Sequence, residues 1–462
     1  MSYNLNVNNT SHQINFNANP AKNLNSLPEN LTKNLTKRQN VLAKVINMKE
    51  GDSGLSHSRF AQATLTNWFP KAVFARSLAD LSEITFLEAG EGALFFYLFP
   101  ILGENIARKK IFSKFLPKEL HKSISSPVSE IVKDSKNAKK LLPVKAAIVL
   151  SCAAIPAAEY ALSFAKNLFT LKVFKKADFS SIVNLDKNKK EDTEAQQRVE
   201  KSAKSHLKKA GIFSLIAFAA SLLLGTAGQK SKTLQKASEI LLNPGDKIYK
   251  GLEKAGVKNK TAEKFFNKYL SLDFARKSDG SLALGNGQLA LTVLAGVAGY
   301  FGAAKDRGKL DVQEVATRVP VIALYTIFGS TLFDEGFKKL LFKKNKYSEI
   351  LTQDKNTKEL KTASLNEIYD IAKKSVNGDE KLVGAKVKEL FKGKAVISMV
   401  PFMFSLLVVG GLLALISRLW TQYRYNHGVG NSNFKADYQD QNLNKINVQK
   451  FKTMASFCGE GK

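Results

Sequence analysis

Cysteine is nearly missing from the chain: Cys152, inside an apolar block, and Cys458, near the C-terminus, are the two present. Two isolated thiols without C-x-x-C spacing make neither a disulfide framework nor a zinc site. Histidine is scarce as well, and His12, His57, His121, His206 and His427 stand singly, none three or four residues from another His or Cys. Neither a metal centre nor any cofactor is expected from such a distribution. GxxxxGK[ST], GxSxG and HExxH are all lacking, and the glycines from Leu284 to Gly302 follow no strand, so they do not read as a dinucleotide turn. The opening "MSYNLNVNNTSHQINFNANPAKNLN" has neither the basic nor the apolar region of a secretory signal, and insertion into a membrane would then depend on internal segments. Acids are in short supply too, with 40 Asp and Glu against 70 Lys and Arg and a net charge of +30.

What the chain does contain is long uncharged runs. A mean hydropathy of −0.16 conceals them, because lysine-rich segments separate one run from the next. Three runs match the ~20 residues needed to cross a bilayer core: 210–228, 282–304 and 395–417, the last followed by Trp420, Tyr423 and Tyr425, residue types suited to the headgroup level. A fourth, 146–165, is long enough but carries Pro156 and Glu159 inside it. Two shorter ones, 92–103 and 319–333, span only if flanking residues join their helices, and their lengths also fit re-entrant segments. The fold class expected is all-α: a polytopic helical membrane protein with four to six hydrophobic segments and amphipathic, lysine-rich helical loops. Residues 61–428 form its membrane domain, 1–60 are rich in Asn, Ser, Thr and Lys and read as disordered, and 429–462 read as a polar tail. The connecting segments look helical, with Asn243-Pro244-Gly245-Asp246 and Asn377-Gly378 as turns. Lys and Arg are shared too evenly between alternate loops to fix an orientation.

The lysines bear on partners. A basic balance suits nucleic acid, but these lysines are spread through every loop with no zinc finger, RNP-like aromatics or basic-leucine repeat beside them. Anionic lipid headgroups account for such juxtamembrane bases at about 1 kcal/mol each, so the expected partner is the bilayer and not nucleic acid. Ala295, Gly299 and Gly302, at i, i+4 and i+7, make a small-residue face on which a second copy or another membrane helix could pack closely.

The scarce acids are concentrated where they are least expected. In "EITFLEAGEGALFFYLFPILGENIARKK" they sit in and beside an apolar run, and on a helix Asp80, Glu83, Glu88 and Glu91 share a face about 140° wide. Glu159 is the one charge between Ala146 and Ala165, and no base three or four residues away is there to pair with it. Two readings are open: a solvated face of an interfacial helix, or a proton- or cation-binding surface within a bundle, since ionisable groups at membrane depth tend to mark pathways. Pro100, Pro156, Pro320 and Pro401 lie in or beside apolar blocks and could free backbone carbonyls there. Residues 93–114 and 323–344 share six identities in 22 positions at an offset of 230, and tandem units are frequent in transporters. A transport or permeation protein is the leading expectation, a scaffold binding anionic lipid the alternative, and a membrane-embedded enzyme the third, because no nucleophile can be assembled with a base.

Overall fold

The computed structural model describes residues 27–50, 57–186, 192–256, 258–276, 282–354 and 359–429. The disorder expected of 1–26 and the polar tail beyond 429 lie outside the described residues. Nearly everything described is helical: α1 (Glu29–Asn34), α2 (Lys37–Glu50), α3 (His57–Ala72), α4 (Leu78–Phe115), α5 (Lys136–Phe174), α6 (Thr193–Ala227), α7 (Lys232–Leu242), α8 (Pro244–Lys254), α9 (Lys260–Tyr269), α10 (Asn286–Arg307), α11 (Lys309–Lys343), α12 (Ile368–Ser375) and α13 (Glu380–Asn426). Two small antiparallel hairpins interrupt the series, β1 (Ala275–Arg276) with β2 (Leu282–Ala283) and β3 (Leu351–Gln353) with β4 (Leu360–Thr362). The chain is all-α, and six of its helices, α4, α5, α6, α10, α11 and α13, are long and apolar enough to cross a membrane.

Flanking residues decide the short blocks. The runs 92–103 and 319–333 lie inside continuous helices of 38 and 35 residues, so neither is too short to cross a membrane. Both helices widen locally to π-type hydrogen bonding, over Leu94–Leu98 and Pro100–Ile111 in α4 and over Tyr325–Gly329 in α11. Within α5, Pro156 has no N–H to give the Cys152 carbonyl, which accepts instead from the Ile155 amide at 2.9 Å. The turn tightens there and the helix resumes at Ala154. The block 282–304 is shorter as a helix than as a sequence: Leu282 and Ala283 pair with Ala275 and Arg276, and α10 starts at Asn286. Gly285 is fixed at that junction because a Cβ would lie 1.9 Å from the Asp273 carbonyl oxygen.

The disorder expected of residues 1–60 needs correcting: 29–34 and 37–50 are helical, and Leu31 and Ile46 are fully buried with Leu351, Ile368, Val387 and Phe391 in a cluster built by α1, α2, the β3–β4 hairpin, α12 and the first half of α13. Their apolar residues have no regular period of their own, and the surface they cover belongs to segments 300 residues away. The turn at Asn377-Gly378 has positive φ at both residues, 51° and 79°, and separates α12 from α13.

At the centre stands α5, the most buried of the six long helices, packed between α6, α4 and α10. Its contact with α10 is made through glycine. A Cβ at Gly296 would meet Glu159 at 2.8 Å, one at Gly299 the Tyr160 carbonyl oxygen at 2.3 Å, and one at Gly302 the Phe164 ring at 2.8 Å. Gly299 and Gly302 thus face a helix of the same chain, and Gly296, rather than the half-buried Ala295, completes the seam. Because the obstacle at Gly299 is backbone, Gly299→Val should force the helices apart and destabilise the protein by about 1–3 kcal/mol. Gly211, with nothing within 4 Å of its Cβ position, is the control: Gly211→Ala in α6 should be neutral or stabilising by about 0.5–1 kcal/mol. Thermal unfolding in detergent reads both, and equal midpoints for the two variants would show that the seam is not this close.

Candidate functional site

The acidic face of α4 is buried. Ser77 caps the helix by accepting from the Asp80 amide at 3.0 Å, which sets the rotation of the first turns, and Asp80, Glu83 and Glu88 are each less than a tenth exposed. No base lies beside them on α4 itself before Arg108, so their partners come from other elements. They fall into two groups.

The first group is at the N-terminal end of α4. Arg76 donates its Nη1 and Nη2 to Glu314 at 2.8 and 2.9 Å and its Nε to Asp80 at 3.2 Å. Arg307, at the end of α10, donates Nη2 and Nη1 to Glu83 at 2.9 and 3.0 Å, and its Nε lies 3.6 Å from Asp311. Lys166 reaches Glu83 at 3.4 Å, and the Thr170 hydroxyl donates to the same carboxylate at 2.5 Å. Arg418 of α13 gives Nη2 to the Lys71 carbonyl at 2.9 Å and stands 4.0 Å from Asp80. Both Arg76 and Arg307 lie over the Phe179 ring, 5.5 and 5.7 Å from its centre. Four bases, Arg76, Lys166, Arg307 and Arg418, balance four acids, Asp80, Glu83, Asp311 and Glu314, so this network is neutral. Burial disfavours the charge on Arg76, but Glu314 and Asp80 outweigh it and hold that guanidinium above the ordinary arginine range.

The second group lies further along α4. Glu88 is paired with Lys71 of α3. Glu91 accepts the Tyr300 hydroxyl of α10 at 2.8 Å. Glu159 of α5, 6% exposed, faces Gly296 at the midpoint of α10. Its Oε2 is buried without a hydrogen-bond partner among the described residues, as is the Ser163 hydroxyl one turn further along α5. Glu88, Glu91 and Glu159 are near enough to act on one another electrostatically. Three carboxylates face one ammonium, one phenol and the more distant Arg318 guanidinium of α11, which leaves one negative charge in excess when all are ionised, and a proton is what such a group can accept.

The five acids singled out from the sequence are therefore divided. Asp80 and Glu83 are tied into arginine pairs, whereas Glu88, Glu91 and Glu159 converge. Tyr300, Lys71 and the arginine network were not read from the sequence. For the arginines a signal exists: R-x3-D-x2-E occurs as Arg76, Asp80, Glu83 and again as Arg307, Asp311, Glu314. Among the described residues no set of three His, Cys, Asp or Glu is placed to hold a metal ion. Comparison with protein-family models, with curated proteins and with solved structures finds no match.

Proposed function

We propose that the chain is a multi-pass membrane protein that carries a proton or small monovalent cation across the bilayer, with Glu159 taking up the cargo beside Glu88 and Glu91. The observation that carries this reading is the Glu159 carboxylate: deeply buried, opposite the middle of a helix long enough to span, flanked by two further acids, and with one oxygen unpartnered among the described residues. A permanently charged, unpaired carboxylate at membrane depth is costly. It becomes tolerable when a proton or cation occupies it, and reversible occupancy is what a carrier needs. Lys71 offsets the charge of Glu88, and the Tyr300 hydroxyl holds Glu91 in place.

Glu159→Gln keeps the shape and removes the titratable group. In liposomes loaded with a pH-sensitive dye, the wild-type protein should dissipate an imposed proton or alkali-cation gradient, and the variant should lose at least nine-tenths of that flux while inserting normally. Undiminished flux through Glu159→Gln would remove the residue from the pathway. The runner-up, a scaffold that binds anionic lipid, is favoured by α7, α8 and α9, whose lysines lie beside exposed Ile240, Ile248 and Phe265, an arrangement suited to the headgroup layer. On that reading Glu159→Gln is silent, and replacing Lys247, Lys250 and Lys254 by Gln weakens retention of anionic lipid.

A further inference from the structure

The two R-x3-D-x2-E stretches do not close on themselves. Arg76 belongs to the first, yet its bidentate partner Glu314 belongs to the second; Arg307 belongs to the second, yet its bidentate partner Glu83 belongs to the first. The exchange is reciprocal, residue for residue, at an offset of 231. Reciprocal pairing of this kind is the signature of an isologous contact, in which one surface meets a copy of itself.

The surroundings repeat in the same sense. In each stretch the Arg Nε faces its own Asp four residues on, at 3.2 Å for Arg76–Asp80 and 3.6 Å for Arg307–Asp311. Further along α4 and α11 come matching i,i+4 pairs, Glu104–Arg108 and Asp334–Lys338, at an offset of 230, and both helices carry a five-residue π-type stretch before them, followed in α4 by a second that contains its pair. The third helix of each set supplies a side-chain donor to a backbone carbonyl in the last turn of the other set's first helix. Asn167 of α5 donates to Ala303 of α10 at 2.9 Å, and Arg418 of α13 donates to Lys71 of α3 at 2.9 Å. Each donor is followed three residues later by a buried threonine, Thr170 and Thr421. The offset has grown to 251 by this point, and the β3–β4 hairpin lies in the interval where the extra residues enter.

Directions agree as well. Helix α3 runs antiparallel to α4, as the Trp68–Thr85 bond and the approach of Thr64 to Gly92 require. Helix α4 in turn runs antiparallel to α5, with Thr170 at Glu83 and Leu162 at Gly90. Helix α10 runs parallel to α5, since Glu159, Tyr160 and Phe164 meet Gly296, Gly299 and Gly302 in ascending order. Hence α3 and α10 point the same way, and the axis relating the two sets lies along the helices.

We infer that α3–α4–α5 and α10–α11–α13 are two copies of one three-helix unit related by a pseudo-two-fold axis, and that the crossed Arg76–Glu314 and Arg307–Glu83 pairs form a single closure between them that opens when the copies rock apart. The carboxylate group lies between the copies, because Glu88, Glu91 and Glu159 come from the first and Tyr300 and Gly296 from the second. From Gly296 to Arg307 is eleven residues, about 16 Å of helix, so the closure seals one end of the same interface some three turns from the acids. Sites at the boundary of two repeats, reached by rocking one against the other, are a recurrent solution in carriers. The acids themselves have no counterparts in the second copy, where Val319 and Ile322 stand at the same offset; the closure is symmetric and the cargo group is not. The rocking motion rests on the carrier reading, whereas the duplication and the closure stand without it.

The test is a distance measurement on the full-length protein in liposomes. Spin labels at the exposed Val73 of the first copy and Lys309 of the second, in a Cys152→Ser, Cys458→Ser background, report the separation by pulsed electron resonance. The unaltered closure should give one dominant distance. Glu83→Gln and Glu314→Gln should each add a longer distance, the smaller share falling to Glu83→Gln because Lys166 and Thr170 also hold that side chain, and the double variant should make the longer distance dominant. Should a glutamine variant fail to fold, Arg76→Lys and Arg307→Lys, which keep the charge and lose the bidentate bond, should each add the longer distance in its place. An unchanged distribution in folded glutamine variants would overturn the closure, and so would an effect confined to one crossing. No flux is needed for this readout. Loss of the Glu159 assignment with opening intact would remove the cargo site alone, and intact Glu159-dependent flux with an immobile closure would remove this inference alone.

Discussion

An Arg307→Met protein should lose about 3–5 kcal/mol of stability, because breaking a buried pair leaves an uncompensated charge in the interior. Arg307 is 3% exposed and serves Glu83, Asn167 and Asp311 at once. With the guanidinium gone, Lys166 is the one base left close to both Glu83 and Asp311 among the described residues, and the seven remaining charges carry an excess negative charge that water cannot reach. The second variant distinguishes charge from packing: Arg307→Met with Glu83→Gln removes one charge of each sign and restores neutrality, so it should be more stable than Arg307→Met alone. Thermal unfolding of detergent-solubilised protein checks the order. A double variant that is weaker than the single one would mean that the lost contacts, rather than the stranded charge, dominate.

How far the sequence carries these results differs from element to element. The long blocks 210–228 and 395–417 are legible because an uncharged run of that length has few uses. The blocks 92–103 and 319–333 were harder to place, because the residues that complete their helices are charged and fail a hydropathy criterion while still being helical. The helices within 29–50 left almost no signal, since their burial depends on α12 and α13, which lie far along the chain. Local propensity cannot report a surface contributed by a distant segment.

The acids show the same limit at the level of the site. Their shared face on α4 follows from helical spacing alone, but which of them are neutralised depends on Arg307, Lys166 and Lys71, none of which lies on that helix. The repeat was half visible. A register of 230 aligns 93–114 with 323–344, whereas the chemistry of the duplication lies upstream at a register of 231. A slip of one residue was enough to hide Arg76, Asp80 and Glu83 from their counterparts. Three identities in eight positions acquire meaning once the crossed hydrogen bonds are seen.

Leu407→Arg should abolish stable insertion of α13. The helix turns a row of apolar side chains outward, Met403, Leu407, Leu412 and Ile416, of which Leu407 is 59% exposed, and no other element among the described residues covers that row. In water such a surface invites aggregation; against hydrocarbon it is at home. A guanidinium at Leu407 lies ten residues or more from either end of the apolar segment, too deep for its stem to carry the charge to the headgroups. The cost at a helix centre is about 2.5–3.5 kcal/mol on insertion scales, enough to shift the balance between integrated and excluded helix by roughly a hundredfold. Tyr423→Arg supplies the control, because Tyr423 is exposed among Trp420 and Arg424 at the end of the run, where a base sits at the headgroup level and insertion should be unaffected. Translation in the presence of membranes, with glycosylation acceptors placed on either side of α13, measures both variants against the wild type. If Leu407→Arg is integrated as efficiently as Tyr423→Arg, the outward row of α13 does not face lipid, and the proposal of a multi-pass membrane protein loses its best-supported span.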